Sequence, residues 1–173
     1  MALINTTTTG ILGSTFSADG TGPLNVQQNG VTLGIYGNIP AFSAYLSGTQ
    51  TISTATWTKY AASVERFDTA GCYDTTNYRF TPTVAGYYMV FVANWYSSAT
   101  GAMPTAIYRN GTEYTRHYTY QSSGNTTSCQ TLIYLNGISD YVEAYFYQGT
   151  GSNQTLDSSN LNPGFYGFLV KAV

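Results

Sequence analysis

Apolar and polar residues alternate with a period of two along most of this chain. In Tyr141-Val142-Glu143-Ala144-Tyr145-Phe146-Tyr147, for example, Val142, Ala144 and Phe146 fall on one side and Tyr141, Glu143, Tyr145 and Tyr147 on the other. Successive strand residues point to opposite faces, so this pattern predicts a strand with one face on a core. The same reasoning predicts strands over 41–47, 50–59, 63–68, 78–83, 86–97, 105–109, 112–121, 127–136, 140–148 and 164–173, with no helix. The last of these runs Phe165-Tyr166-Gly167-Phe168-Leu169-Val170-Lys171-Ala172-Val173, a stretch of aromatic and branched residues that reads as a buried central strand. Polar loops are expected at 97–101 and 149–156. About ten short strands joined by turn residues describe an all-β sandwich or jelly roll.

The first 40 residues differ from the rest. They are rich in Thr, Gly and Asn, with isolated apolar residues at Ile4, Ile11, Leu12 and Phe16. One hairpin stands out: Leu24-Asn25-Val26-Gln27-Gln28, then Asn29-Gly30, then Val31-Thr32-Leu33-Gly34-Ile35. Asn-Gly between two alternating runs suits a type I′ turn, which needs positive φ at both central positions. Leu24, Val26, Val31, Leu33 and Ile35 would share one apolar face, and a two-stranded hairpin cannot cover such a face alone. Residues 1–40 are therefore expected to form a docking arm, held by Ile4, Ile11, Leu12, Phe16, Leu24, Val26, Val31 and Leu33, with Pro40 marking the boundary to a body at 41–173.

Composition narrows the function classes. Of 173 residues only 8% are charged, net charge is −2, and 17 are tyrosines. Tyrosine combines an apolar ring with a polar tip, which suits half-buried sheets and broad interfaces. Arg109 and Arg116 flank Glu113, and no cluster of Lys and Arg exists to neutralise phosphates, so nucleic acid is not the expected partner. No apolar run approaches the roughly 20 residues of a membrane helix, so membrane insertion is not expected. The start Met1-Ala2-Leu3-Ile4-Asn5-Thr6 has neither the basic nor the apolar region of a signal peptide, which suggests synthesis in a cytosol. In that compartment Cys72 and Cys129 are expected as thiols. Two cysteines and one histidine offer no zinc spacing.

Candidate chemistry is sparse. His117 is the single histidine and lies in an alternating strand with no nucleophile elbow or acid nearby, so it reads as a surface residue. Asp68 and Asp74 could pair for glycoside hydrolysis or calcium, but turn capping explains them more simply. Gly149-Thr150-Gly151 lacks the Lys and helix of a phosphate loop. Tyr87, Tyr88, Trp95, Tyr96 and the tyrosines of 114–120 could stack on carbohydrate or fill a core and subunit seam, and Trp57 suits either role.

From residue 41 onward the chain resembles the C1q/TNF-like jelly roll. The segments that carry the likeness are Phe42-Ser43-Ala44, Phe67-Asp68, Phe80-Thr81-Pro82 with Gly86-Tyr87-Tyr88, then Leu132, Leu135, Asp140 and Val142, and last Phe165 with Gly167-Phe168-Leu169. Ser139 departs from the pattern, which usually has Gly before the Asp. The resemblance implies a ten-stranded jelly roll that assembles as a compact homotrimer, with Phe42, Phe80, Tyr87, Tyr88, Phe146, Phe165 and Phe168 as core or seam aromatics. The Gly20–Gly34 segment leading into such a domain resembles bacteriophage virion proteins. Together they imply a non-enzymatic virion surface protein made in the host cytoplasm, with no cofactor. The expected role is a capsid cement or decoration trimer whose arm clamps the major capsid protein or another virion protein. The alternative is a tail- or head-fibre tip that reads host-surface glycan through loops at 97–103 and 153–162.

Overall fold

The computed structural model describes residues 14–15, 25–28, 31–34, 39–97, 100–122, 126–159 and 162–173. The chain divides into two units, Met1–Ile39 and Pro40–Val173. In the first unit, β1 (Ser14–Thr15), β2 (Asn25–Gln28) and β3 (Val31–Gly34) form an antiparallel sheet in that order. Val26 pairs with Leu33 and Gln28 with Val31, the register of the hairpin predicted around Asn29-Gly30. The β1 strand, absent from the sequence reading, adds to the other side of β2. Of the expected docking residues, Val26, Val31 and Leu33 lie on β2 and β3, whereas Ile4, Ile11, Leu12, Phe16 and Leu24 lie outside the described residues.

The second unit contains the long strands. In chain order these elements are β4 (Ala41–Tyr45), β5 (Gln50–Ile52), β6 (Thr58–Lys59), β7 (Val64–Asp68), β8 (Tyr73–Asp74), β9 (Arg79–Phe80), β10 (Gly86–Trp95) and β11 (Gly101–Ala102). They continue with β12 (Thr105–Arg109), β13 (Thr112–His117), β14 (Tyr120–Gln121), β15 (Thr126–Leu135), β16 (Val142–Phe146), β17 (Gln154–Leu156) and β18 (Gly164–Ala172). A five-stranded sheet has the order β15-β10-β18-β4-β7. A six-stranded sheet runs β13-β12-β16-β9-β8, with β6 also paired to β16. This is an all-β jelly-roll sandwich, and the terminal strand β18 lies at its centre, between β10 and β4.

The core sits between the sheets and is built from aromatic rings. Phe42 of β4 stacks on Phe80 of β9 at 4.4 Å and on Tyr73 of β8 at 4.9 Å, and meets Phe165 of β18 edge-on at 4.9 Å. Most polar groups inside this core are paired, which removes most of the cost of burying them, although neither amide atom of the buried Gln121 has a partner. Asn94 donates to the Tyr60 hydroxyl at 3.0 Å, and the Thr105 and Thr127 hydroxyls meet at 2.7 Å. Both Cys72 and Cys129 are buried, unbridged thiols.

Several strand bounds depart from the periodicity. The segment 50–59 is two strands, because Ala55 has φ of 56° and its N–H donates to the Gln148 carbonyl at 2.8 Å. That turn sends β5 to pair with β17 and β6 to pair with β16. The segment 112–121 divides likewise into β13 and β14, which join different ribbons. Residues 149–156, read as loop, contain β17. Alternation misjudged Glu143, which is buried on the outward side of β16 beneath the Lys59 ammonium.

Candidate interaction face

Strand β10 shows how the two faces of the five-stranded sheet differ. Tyr88, Val90, Val92 and Tyr96 are fully buried in the sandwich, whereas Tyr87 and Trp95 of the opposite register are exposed. Cross-strand pairing then carries the outward set across the sheet. Tyr87 lies opposite Tyr134, Met89 opposite both Leu132 and Phe168, Phe91 opposite Tyr166, and Tyr166 opposite Ser43, which pairs with Phe67. Leu132 is 51% exposed, Phe67 50% and Phe168 45%. The rings touch each other sideways, Tyr87 to Tyr134 at 5.7 Å between centroids and Phe91 to Tyr166 at 4.8 Å. Scattered surface leucines are ordinary, but a contiguous aromatic field across neighbouring strands marks an interaction surface.

The expected seam and core aromatics therefore fall into two groups. Phe42, Phe80, Tyr88, Phe146 and Phe165 are completely buried, while Tyr87 and Phe168 stand on the outward face. Neighbouring residues that the sequence reading did not single out as seam residues, Leu132, Tyr134, Phe91, Tyr166 and Phe67, complete that face. For Phe91 and Tyr166 the signal was the alternation itself: in β10 and β18 both registers are apolar, as in a strand covered on both sides.

One end of the sandwich is fixed by Asp140. Its Oδ2 accepts from the Arg109 guanidinium at 2.6 Å and from the Asn136 N–H at 3.0 Å, and its Oδ1 accepts from the Asn110 amide at 2.7 Å. Burial pushes this carboxyl upward, but the hydrogen bonds from Asn110 and Arg109 outweigh it and hold the group below the usual carboxylate range. At the departure Ser139, the Asn136 side chain shapes the loop by accepting from the N–H groups of Ile138, Ser139 and Asp140. Gly137 has φ of 69° there, and a Cβ on it would lie 2.4 Å from the Ala85 nitrogen.

Residues considered for catalysis take structural positions. Asp68 accepts from the N–H groups of Ala70 and Tyr73, and Asp74 from those of Thr76 and Asn77, so each caps its own turn. His117 stands exposed on β13, its Nδ1 2.9 Å from the Ser128 carbonyl. A cleft of about 370 Å³ between β13 and β15 is lined by His117, Arg116, Phe91 and Gln130, and also by Cys129. Burial raises the Cys129 thiol pKa, which opposes formation of the thiolate a nucleophile requires. Among the described residues, no cluster of three or more His, Cys, Asp or Glu could hold a metal, and no helix is long and apolar enough to cross a membrane.

Comparison with solved structures gives the class of fold, the TNF/C1q-like jelly roll. The chain is similar to Eiger TNF from S. frugiperda, with 12% identity, a TM-score of 0.60, and coverage of 79% of this chain and 94% of that one. It is similar to the globular domain of zebrafish complement 1qA protein, at 19% identity and TM-score 0.53 over 78% of this chain and 99% of the other. It is also similar to PRD1 vertex protein P5, at 14% identity and TM-score 0.56 over 79% of this chain and all of that chain (100%). No family model and no curated relative matches the sequence.

Proposed function

We propose that this chain is a non-enzymatic structural protein of a virion surface that works as a homotrimer. The observation that carries the reading is the contiguous outward face of the five-stranded sheet, with Tyr87, Phe91, Leu132, Tyr134, Phe168 and Phe67 turned away from their own core. Burying such a face between copies stabilises an assembly by roughly 25 cal/mol per Å² of apolar surface removed from water, before ordering costs. Closed cyclic symmetry lets identical copies cover the face without leaving one exposed. Likeness to a phage vertex protein supports the virion setting.

Within that reading the protein serves as a cement or decoration trimer, with residues 1–40 docking on the major capsid protein or another virion protein. The arm hairpin β2–β3 supports this, because a small sheet with apolar positions needs a surface to lie on. A fibre-tip module that binds host glycan is the competing role. Deletion of residues 1–36 is expected to leave a folded trimer that no longer attaches to particles. Truncated protein that still decorates particles at full occupancy would sink the clamp. Copy number separates the roles: a repeating lattice of trimers over the shell in images of particles supports cement, and a few copies on the tail support the fibre.

A further inference from the structure

The outward face of the six-stranded sheet carries a second aromatic group, distinct from the seam. The Tyr147 N–H donates to the Pro104 carbonyl at 3.0 Å, which sets these two residues side by side, and the adjoining register places Arg116 beside Ala106 and Ala106 beside Tyr145. Trp57 leans on Tyr147 at 5.4 Å between centroids and meets Tyr108 edge-on at 6.3 Å, and Tyr108 stacks on Tyr145 at 4.0 Å. Where this strip ends, Trp57, Pro104, Arg116, Tyr118 and Tyr147 line an open pocket of about 210 Å³. Drug-sized sites run to roughly 300–1,000 Å³, so this one has room for a single ring.

The pocket is held by its surroundings. Trp57 follows the Ala55 turn, whose N–H is bound by the Gln148 carbonyl. The Gln148 side chain is wholly buried and donates to the carbonyls of Ile52 and Ser152 at 3.0 and 2.9 Å. An anchored aromatic wall loses little entropy when a ligand arrives. Its polar groups are also available: among the described residues, the Trp57 indole N–H and the Tyr118 and Tyr147 hydroxyls make no hydrogen bond to another protein group. Among the described residues lining the pocket Arg116 alone is charged, and its Nε is held by Glu113 at 2.9 Å.

We propose that this pocket binds one pyranose ring of a saccharide, with Trp57 and Tyr147 against the C–H face of the sugar and the Tyr118 hydroxyl and Arg116 hydrogen-bonded to its oxygens. Flat aromatic walls beside unengaged donors match a ring that is apolar on its face and polar at its rim. Because Glu113 already balances the Arg116 charge, recognition rests on the sugar's ring and hydroxyls and does not require a carboxylate on it. The site needs no subunit boundary, so it stands apart from the trimer reading and fails or holds independently of it.

Saturation-transfer NMR with the methyl glycosides of glucose, galactose, N-acetylglucosamine and glucuronic acid tests the site on the full chain. Transfer to at least one is expected, with Tyr118→Ala weakening it about tenfold. Tyr118 is 65% exposed, so its removal leaves the core intact. In a Trp95→Phe background the remaining indole is Trp57, and its fluorescence should change on titration with the glycoside that binds. No transfer from any of the four, transfer undiminished in Tyr118→Ala, or binding that leaves Trp57 fluorescence unchanged would each overturn the proposal.

Discussion

Asp140 shows how single residues hold this sandwich. It is buried and joins the β12–β13 turn, through Arg109 and Asn110, to the loop before β16, through Asn136. Asp140→Asn should cost about 2–3 kcal/mol at neutral pH, because donors to a charged acceptor lose their partner. The Asp140 pKa is lowered in the folded state, so its stabilisation is present above the ordinary carboxylate value of about 3.9 and lost as pH falls through the folded value. Urea unfolding at a series of pH values should therefore show the deficit of the Asp140→Asn variant shrinking in acid. Tyr60 works in the other direction. Burial raises its pKa to about 12, so the stabilisation is complete below about 10 and disappears as pH rises through 12. Tyr60→Phe should reduce the alkaline lability measured by pH-jump unfolding. Gly86 gives a physical reason for the Gly-Tyr-Tyr segment, since a Cβ there would lie 2.4 Å from the Lys171 carbonyl oxygen. Gly86→Ala should lower stability by roughly 1–3 kcal/mol, read from the denaturant midpoint. The next residues divide the work, Tyr88 reaching inward to donate to the Val84 carbonyl at 2.7 Å and Tyr87 facing out.

At the scale of elements, the same chemistry has two consequences depending on which face it occupies. Phe42 is enclosed by Phe80, Tyr73 and Phe165, so Phe42→Ala should cost about 3–5 kcal/mol and lower the unfolding midpoint. Phe168 is half exposed on β18, so Phe168→Ala should leave the folding of an isolated chain almost unchanged and weaken association instead. Thermal unfolding read alongside sedimentation separates these outcomes. The long strands were legible because their alternation is regular: β10, β12, β16 and β18 fall inside the predicted runs. The short ones were not. β5 and β6 are divided by one positive-φ alanine, a position that sequence gives no reason to suspect, and β17 is held by long-range pairing to β5 and to the residues around Tyr96. The candidate face was half legible. Tyr87 and Phe168 stood out as aromatics, but an apolar residue on each register of β10 and β18 cannot reveal which side is the core.

For the whole molecule, the two faces of the sandwich have different surfaces. The five-stranded side presents a ring-to-ring apolar field, and the six-stranded side a shorter aromatic strip crossed by Lys59–Glu143 and Arg116–Glu113 ion pairs. Self-association through the first leaves the second turned outward. Sedimentation equilibrium of the full chain at micromolar concentration is the most direct measurement. The account predicts a particle of about 56 kDa, three times the 18.7 kDa chain, that falls to 18.7 kDa and stays folded when Phe168 and Leu132 are changed to Glu. A full-length chain that sediments as a folded monomer, or a trimer that survives both changes, would contradict it.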